Sequence, residues 1–301
     1  MKRIQLLAIS LLSFITFSCD KAEIVEPQSQ ANNIALKADL SQDVIISAEP
    51  GRNNLLIEER FEKSFLQSIF DSKYTQFRYF EPYYRIFSDP SKEYAFKQST
   101  GIKRKGNASA RFEMRNTDKG IIRTEMMGKK AEGSPTRWYA ASLYLPAKYW
   151  ERDDAWDIIT QMNGVPDEGE SVRNPAISLI VSRGRLMLKT CYSARPINTD
   201  ANRDGQKSWD LGPVEKDKWL DIVFRVKYSY GTDGILEMWK NGVKVVSYKG
   251  PNSYNDKILP FFKFGIYKRN WEDVSSRVLY VDEVRVGNGS ATYKDVAPST
   301  I

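Results

Sequence analysis

The chain has 301 residues, a formal net charge of +7, 41% apolar residues, no histidine and two cysteines. Without histidine, His-based triads, Cys–His pairs and His-ligated zinc or iron are excluded, so catalysis must draw on Tyr, Lys, Arg, carboxylates or amides. The basic balance suits an acidic partner, either a polyanionic polymer or an anionic surface.

Lys2 and Arg3 open the chain, Ile4 to Phe17 is mostly apolar, and Ser18-Cys19 follows. This order is that of a secretory signal over residues 1–19. The small residue before Cys19 suggests lipoprotein processing, with Cys19 as the lipidated N-terminus. The expected location is therefore outside the cytoplasm, anchored by lipid to a bacterial membrane, with nucleic acid not expected as a partner. With Cys19 in the leader, Cys191 is alone, and no disulfide framework is possible in the mature domain. Residues 20–50 are polar, mixed in charge and without a sustained apolar period, as a flexible tether would be. Residues 51–301 are left for one large domain, expected to be monomeric.

Within that domain the apolar period is two. Leu55 to Phe65 reads as a strand running into a short helix, and Phe70 to Phe96 as loops with short strands. Ala108 to Arg115 alternates, with Ala108, Ala110, Phe112 and Met114 on one face. Strands are predicted over Ile121–Met127, Arg137–Leu145 and Trp156–Met162. Pro175 to Tyr192 reads as a hairpin turning at Arg183-Gly184. Ile197 to Ser208 is a polar loop; Asp200, Asn202 and Asp204 resemble a calcium loop there, but the flanking helices and terminal Glu of such a site are missing, so a solvated loop is expected. Trp219–Tyr228 is a strand. Asn241-Gly242 between Ile235–Lys240 and Val243–Tyr248 is a strong hairpin signal. Strands at Pro260–Lys268 and Arg277–Val286 close the domain. The predicted fold is an all-β jelly-roll sandwich of two curved antiparallel sheets, one of them forming a concave groove.

The Pro260–Lys268 strand has an unusual outer face. Phe262, Phe264 and Ile266 form a core face; Lys263, Gly265 and Tyr267 fall on the other. A glycine weakens a strand unless something must approach the backbone closely, which suggests a ligand. Two other strands offer similar faces: Arg123 and Glu125 on one, Gln161 and Asn163 on the other. Side by side, the three would line a polar, partly basic cleft.

The blocks Arg123-Thr124-Glu125, Gln161-Met162-Asn163 and Phe261-Phe262-Lys263-Phe264-Gly265-Ile266-Tyr267 resemble those of the jelly-roll polysaccharide lyases. That group includes alginate lyases, glucuronan lyases and heparin lyase I-type enzymes. Ser142-Leu143-Tyr144-Leu145-Pro146, Lys218-Trp219-Leu220-Asp221-Ile222-Val223, Glu237-Met238-Trp239-Lys240-Asn241-Gly242 and Tyr280-Val281-Asp282-Glu283-Val284-Arg285-Val286-Gly287 resemble the heparin lyase I and glucuronan lyase branch. The resemblance spans roughly residues 55 to 290 and implies β-elimination on an anionic, uronate-containing polysaccharide. A base removes the proton at C5, the sugar carboxylate is neutralised by hydrogen bonds or a cation, and an acid protonates the leaving O4. By this resemblance Tyr267 is the catalytic Tyr, Gln161 the amide that binds the carboxylate, and Arg123 a substrate-binding residue. Glu125, Lys263 and Lys189 complete the substrate-binding candidates.

Asn163 departs from the pattern, because many members carry His there. Asn takes no proton, so a His base is impossible and Tyr267 would act as base and then acid, with Gln161 and Asn163 holding the carboxylate. A phenol is a weak base unless nearby cations favour the phenolate. Tyr139 and Tyr192 are the alternative phenols. No cofactor is required; a structural calcium would draw on Glu62 and Asp282, because hard oxygen ligands suit that ion. A second reading is a non-catalytic carbohydrate-binding lipoprotein of the same fold, in which loss of the His has left polyanion capture alone.

Overall fold

The computed structural model describes residues 54–62, 77–80, 84–87, 91–128 and 134–298, all within the unit Ile46–Ile301. The leader, Cys19 and the tether fall outside these residues, as do parts of the first strand-to-helix segment and of the 70–96 loops. The described strands are β1 (Leu55–Glu59), β2 (Phe77–Phe80), β3 (Tyr84–Phe87), β4 (Phe96–Ser99), β5 (Ser109–Arg115), β6 (Arg123–Gly128), β7 (Thr136–Tyr144), β8 (Trp156–Asn163), β9 (Ile177–Ser182), β10 (Arg185–Tyr192), β11 (Gly205–Pro213), β12 (Trp219–Lys227), β13 (Ile235–Lys240), β14 (Val243–Lys249), β15 (Phe261–Tyr267) and β16 (Ser276–Gly287). One short helix, α1 (Tyr293–Val296), follows them.

The strands form two antiparallel sheets. One runs β14-β13-β12-β7-β16-β5-β4, with β1 paired to the far half of β16; the other runs β11-β10-β9-β8-β15-β6-β3-β2. Side-chain alternation explains how they meet. On β15, Phe262, Phe264 and Ile266 point into the core, where Phe262 stacks on Tyr139 of β7 (5.0 Å, 27°) and Phe264 meets Phe112 of β5 edge-on (6.2 Å, 89°). Burying each such ring stabilises the sandwich by roughly 1.5–3 kcal/mol. The outer face of the second sheet is the groove.

Turn chemistry matches the sequence. Arg183 (φ 52°) and Gly184 (φ 73°) close the β9–β10 hairpin, and Asn241 (φ 48°) and Gly242 (φ 83°) close β13–β14, both with two left-handed residues as a tight hairpin turn demands. One expectation is corrected. The predicted polar loop 197–208 ends early, because Gly205 begins edge strand β11. Its inner face carries two apolar residues, Trp209 and Leu211, which pack on the core, and the exposed Lys207, whose ammonium covers the Tyr248 ring. The apolar signal is therefore short and interrupted by polar residues.

A buried ionic cluster ties the sheets together at one end. Lys268, just after β15, lies 2.7 Å from Asp153 and 3.1 Å from Asp157; Arg277 of β16 lies 3.1 Å from Asp157 and 3.6 Å from Asp153. The Lys268 ammonium is 0% exposed. Burial alone would raise the Asp153 carboxyl, but the hydrogen bond and charge of Lys268 hold it below its usual range. The cluster fixes the two chain positions that flank the candidate site: Asp157 follows Trp156, and Lys268 follows Tyr267.

Candidate active site

The sheet order sets β15 between β6 and β8, so the three blocks singled out in the sequence are adjacent. Tyr267 pairs with Arg123 on one side and Ile158 on the other; Lys263 pairs with Met127 and Gln161; Asn163 pairs with Phe261. At ~3.3 Å per residue, Lys263 and Tyr267 stand at most roughly 13 Å apart along the strand.

The side chains between them form a connected set. Gln161 Nε2 donates to Glu125 Oε1 at 2.5 Å. Lys263 Nζ and Arg123 Nη1 each lie 3.9 Å from Glu125 Oε2. The Arg123 guanidinium covers the Tyr267 ring at 4.8 Å, and Trp156 stacks against Tyr267 at 5.9 Å and 15°. Tyr267 is thus oriented by a cation and an indole. Burial pushes the Lys263 ammonium below its usual value; Glu125 opposes that shift and Arg123 adds to it.

Glu125 is only 1% exposed. Its carboxylate gathers Gln161, Lys263 and Arg123 around itself, so it positions the groups expected to meet substrate. Gln161 and Lys263 are buried beside it, each 3% exposed. Gln161 retains its second amide N–H, a donor suited to an anion. Asn163 lies half-buried at the far end of the patch, its Nδ2 donating to Gly164 O at 3.0 Å.

Gly265 serves a different purpose from the one expected. It has φ +132°, and a Cβ there would stand 2.4 Å from Thr124 O and 2.7 Å from Glu125 Cα. The close approach comes from the neighbouring strand β6 rather than from a ligand. It is what brings Glu125 against β15, and it leaves the floor between Lys263 and Tyr267 made of backbone.

The two alternative phenols are turned away. Tyr139 is buried in the core, receives a hydrogen bond from Tyr228 at 2.9 Å, and is pushed up to about 12 by burial. Tyr192 shares the parity of Leu188, a core residue, and its ring lies over Gly205. Cys191 is buried with Ala176 and Tyr254, as a small packing residue.

The carboxylates considered for calcium, Glu62 and Asp282, both accept backbone hydrogen bonds. Glu62 accepts from Asn107 N at 2.9 and 3.0 Å; Asp282 accepts from Arg104 N, Lys105 N and Glu283 N at 2.8, 3.2 and 2.7 Å. Both brace the basic turn 103–107. In the 197–208 region, Asp200 accepts from Asn174, Asn202 from Thr199 N, and Asp204 from Ala194 N, so these three shape the loop.

Trp156 is a functional candidate that the sequence reading missed. It is 39% exposed at the groove, although it is large and apolar. An exposed tryptophan on the parity of Ile158 was the available signal. Lys189 of β10 also reaches the groove. It lines a depression of about 290 Å³ with Trp156, Ile158, Ile180 and Met187 among its walls.

The chain is thus an antiparallel β-sandwich whose second sheet carries cationic, amide and aromatic side chains on its outer face. The sequence matches the family described as "Polysaccharide lyase" over residues 72–285, and the chain belongs to that family of lyase enzymes. Among solved structures, it is similar to an endo-β-1,4-glucuronan lyase from the fungus Trichoderma reesei, with a TM-score of 0.63 and 16% identity over 82% of this chain and 100% of that one. That likeness bears out the jelly-roll fold. A family 7 alginate lyase, A1-II′, aligns at a TM-score of 0.47 and 12% identity over 68% of this chain and 94% of that one. The alginate lyase AlyA1 from Zobellia galactanivorans aligns at 0.42 and 14% over 66% and 82%. No match was found among curated protein sequences.

Proposed function

We propose that this enzyme cleaves a uronate-containing polyanion by β-elimination, with Tyr267 transferring the protons. The observation that carries the reading is the convergence of Tyr267, Arg123, Gln161 and Lys263 on one face of three adjacent strands. The polymer lies across the strands. Gln161 and Lys263, with Asn163 beyond them, hold the carboxylate of the sugar to be opened, which lowers the cost of charge developing at C5. Tyr267 takes the C5 proton and returns a proton to the leaving O4 from the same side. Arg123 keeps the phenol's ring in place and offers a cation beside it. Likeness to a glucuronan lyase makes a β-1,4-linked polyglucuronate the first polymer to try. The test is a panel of polyglucuronate, alginate and heparin-type chains, followed by size-exclusion chromatography. Shortening of at least one supports the reading, whereas binding without shortening supports a carbohydrate-binding protein instead.

Lys263 makes the affinity pH-dependent. Its ammonium is held below the usual lysine range by burial, so its charge is lost earlier on the alkaline side than that of an exposed lysine. KM should therefore rise as pH climbs into the alkaline range, before an ordinary lysine would titrate. In Lys263→Met, KM should be higher at neutral pH and should lack that limb. A variant with an unchanged KM profile would remove Lys263 from substrate binding.

A further inference from the structure

The groove floor is chemically divided along its length. One cross-strand row is Gln161, Ser178, Lys189 and Ser208, each paired with the next across β8, β9, β10 and β11. The neighbouring row begins at Tyr267 and continues through Ile158, Ile180 and Met187 on the same strands. The first row is polar with one cation. The second is aliphatic, with Trp156 beside it, and both rows line the depression of about 290 Å³, Ser178, Lys189 and Ser208 on one side and Ile158, Ile180 and Met187 on the other.

Lys189 has no ion-pair partner among the described residues and lines this depression. It stands three strand spacings from Lys263, roughly 14 Å at ~4.8 Å per step. That separation suits a second anionic group further along the same polymer. The aliphatic row does not suit a plain polyuronate. Hydroxyl groups laid against Ile158, Ile180 and Met187 would lose water and gain no partner from those three side chains, a cost that apolar substituents avoid.

We propose that the groove selects an acylated polyuronate, with carboxylates along the row from Lys263 to Lys189 and acyl methyl groups seated along Ile158, Ile180 and Met187. This rests on the lyase reading for the identity of the polymer. No covalent chemistry at the acyl group is involved; it is a recognition element only.

The experiment uses O-acetylated polyglucuronate and O-acetylated polymannuronate, each compared with the same chains after mild alkaline removal of the acetyl groups. Binding is read by calorimetry and cleavage by near-ultraviolet absorbance. One buried methyl with its avoided desolvation cost corresponds to a preference on the order of tenfold for an acetylated form. Met187→Gln, which keeps the length of the side chain, should bring that ratio close to one; Ile180→Thr is the second variant, with circular dichroism checking that each is folded. Equal or weaker binding of both acetylated forms overturns the proposal, as does binding of none, or a preference that survives both variants. Preferential binding without cleavage sustains the acyl site and overturns the lyase reading. Cleavage without preference does the reverse.

Discussion

Tyr267→Phe should abolish the unsaturated product, lowering turnover by roughly 10²–10⁴-fold or more, while KM stays within a few-fold of the parent. The substitution removes one oxygen and leaves the ring. Trp156 still stacks on that ring and Arg123 still covers it, so the groove keeps its shape. With no histidine in the chain and Tyr139 buried in the core, no other phenol or imidazole in the described groove takes over the proton. Initial rates at several substrate concentrations separate the two parameters. A variant that keeps more than about a tenth of the parent turnover would require a different base.

Lys268→Met should destabilise the domain by about 3–5 kcal/mol, because it leaves the buried Asp153 and Asp157 with Arg277 as the one cation of the cluster. For a domain of this size, the midpoint of thermal unfolding should fall by on the order of 10 °C. The double variant Lys268→Met/Asp153→Asn removes one cation and one anion together and should recover part of the loss, since the two residues share one network. Because Lys268 follows Tyr267 and Asp157 follows Trp156, the single variant should also loosen the stack between those rings. Its turnover should drop even at temperatures where it remains folded. Chemical denaturation compares the three proteins. An unchanged midpoint in Lys268→Met would mean that the cluster adds nothing to stability.

The strands were legible because their signal is local. Phe262, Phe264 and Ile266 alternate with Lys263 and Tyr267, and that parity alone assigned the core and groove faces of β15. Turns at Arg183-Gly184 and Asn241-Gly242 were legible for the same reason. Edge strand β11 was not, since its outward face is polar and its core face holds Lys207 beside the two apolar residues Trp209 and Leu211.

What depends on long-range pairing was less accessible. The family resemblance brought Arg123, Gln161 and Tyr267 together, but it did not reveal that Glu125 sits beneath them as an anchor. Gly265 showed that something approaches the backbone; only the pairing of β6 with β15 identifies the Thr124 carbonyl as that neighbour. The Lys268–Asp153–Asp157–Arg277 cluster joins residues more than a hundred positions apart, and no periodicity marks it.

β-Elimination has a chemical signature that binding and hydrolysis lack. Mass spectrometry of the products from a susceptible polyuronate should show new non-reducing ends one water lighter than hydrolysis would leave, absent when Tyr267→Phe is used. Products carrying the full water, or a polymer bound and recovered intact, would contradict a lyase that works through Tyr267.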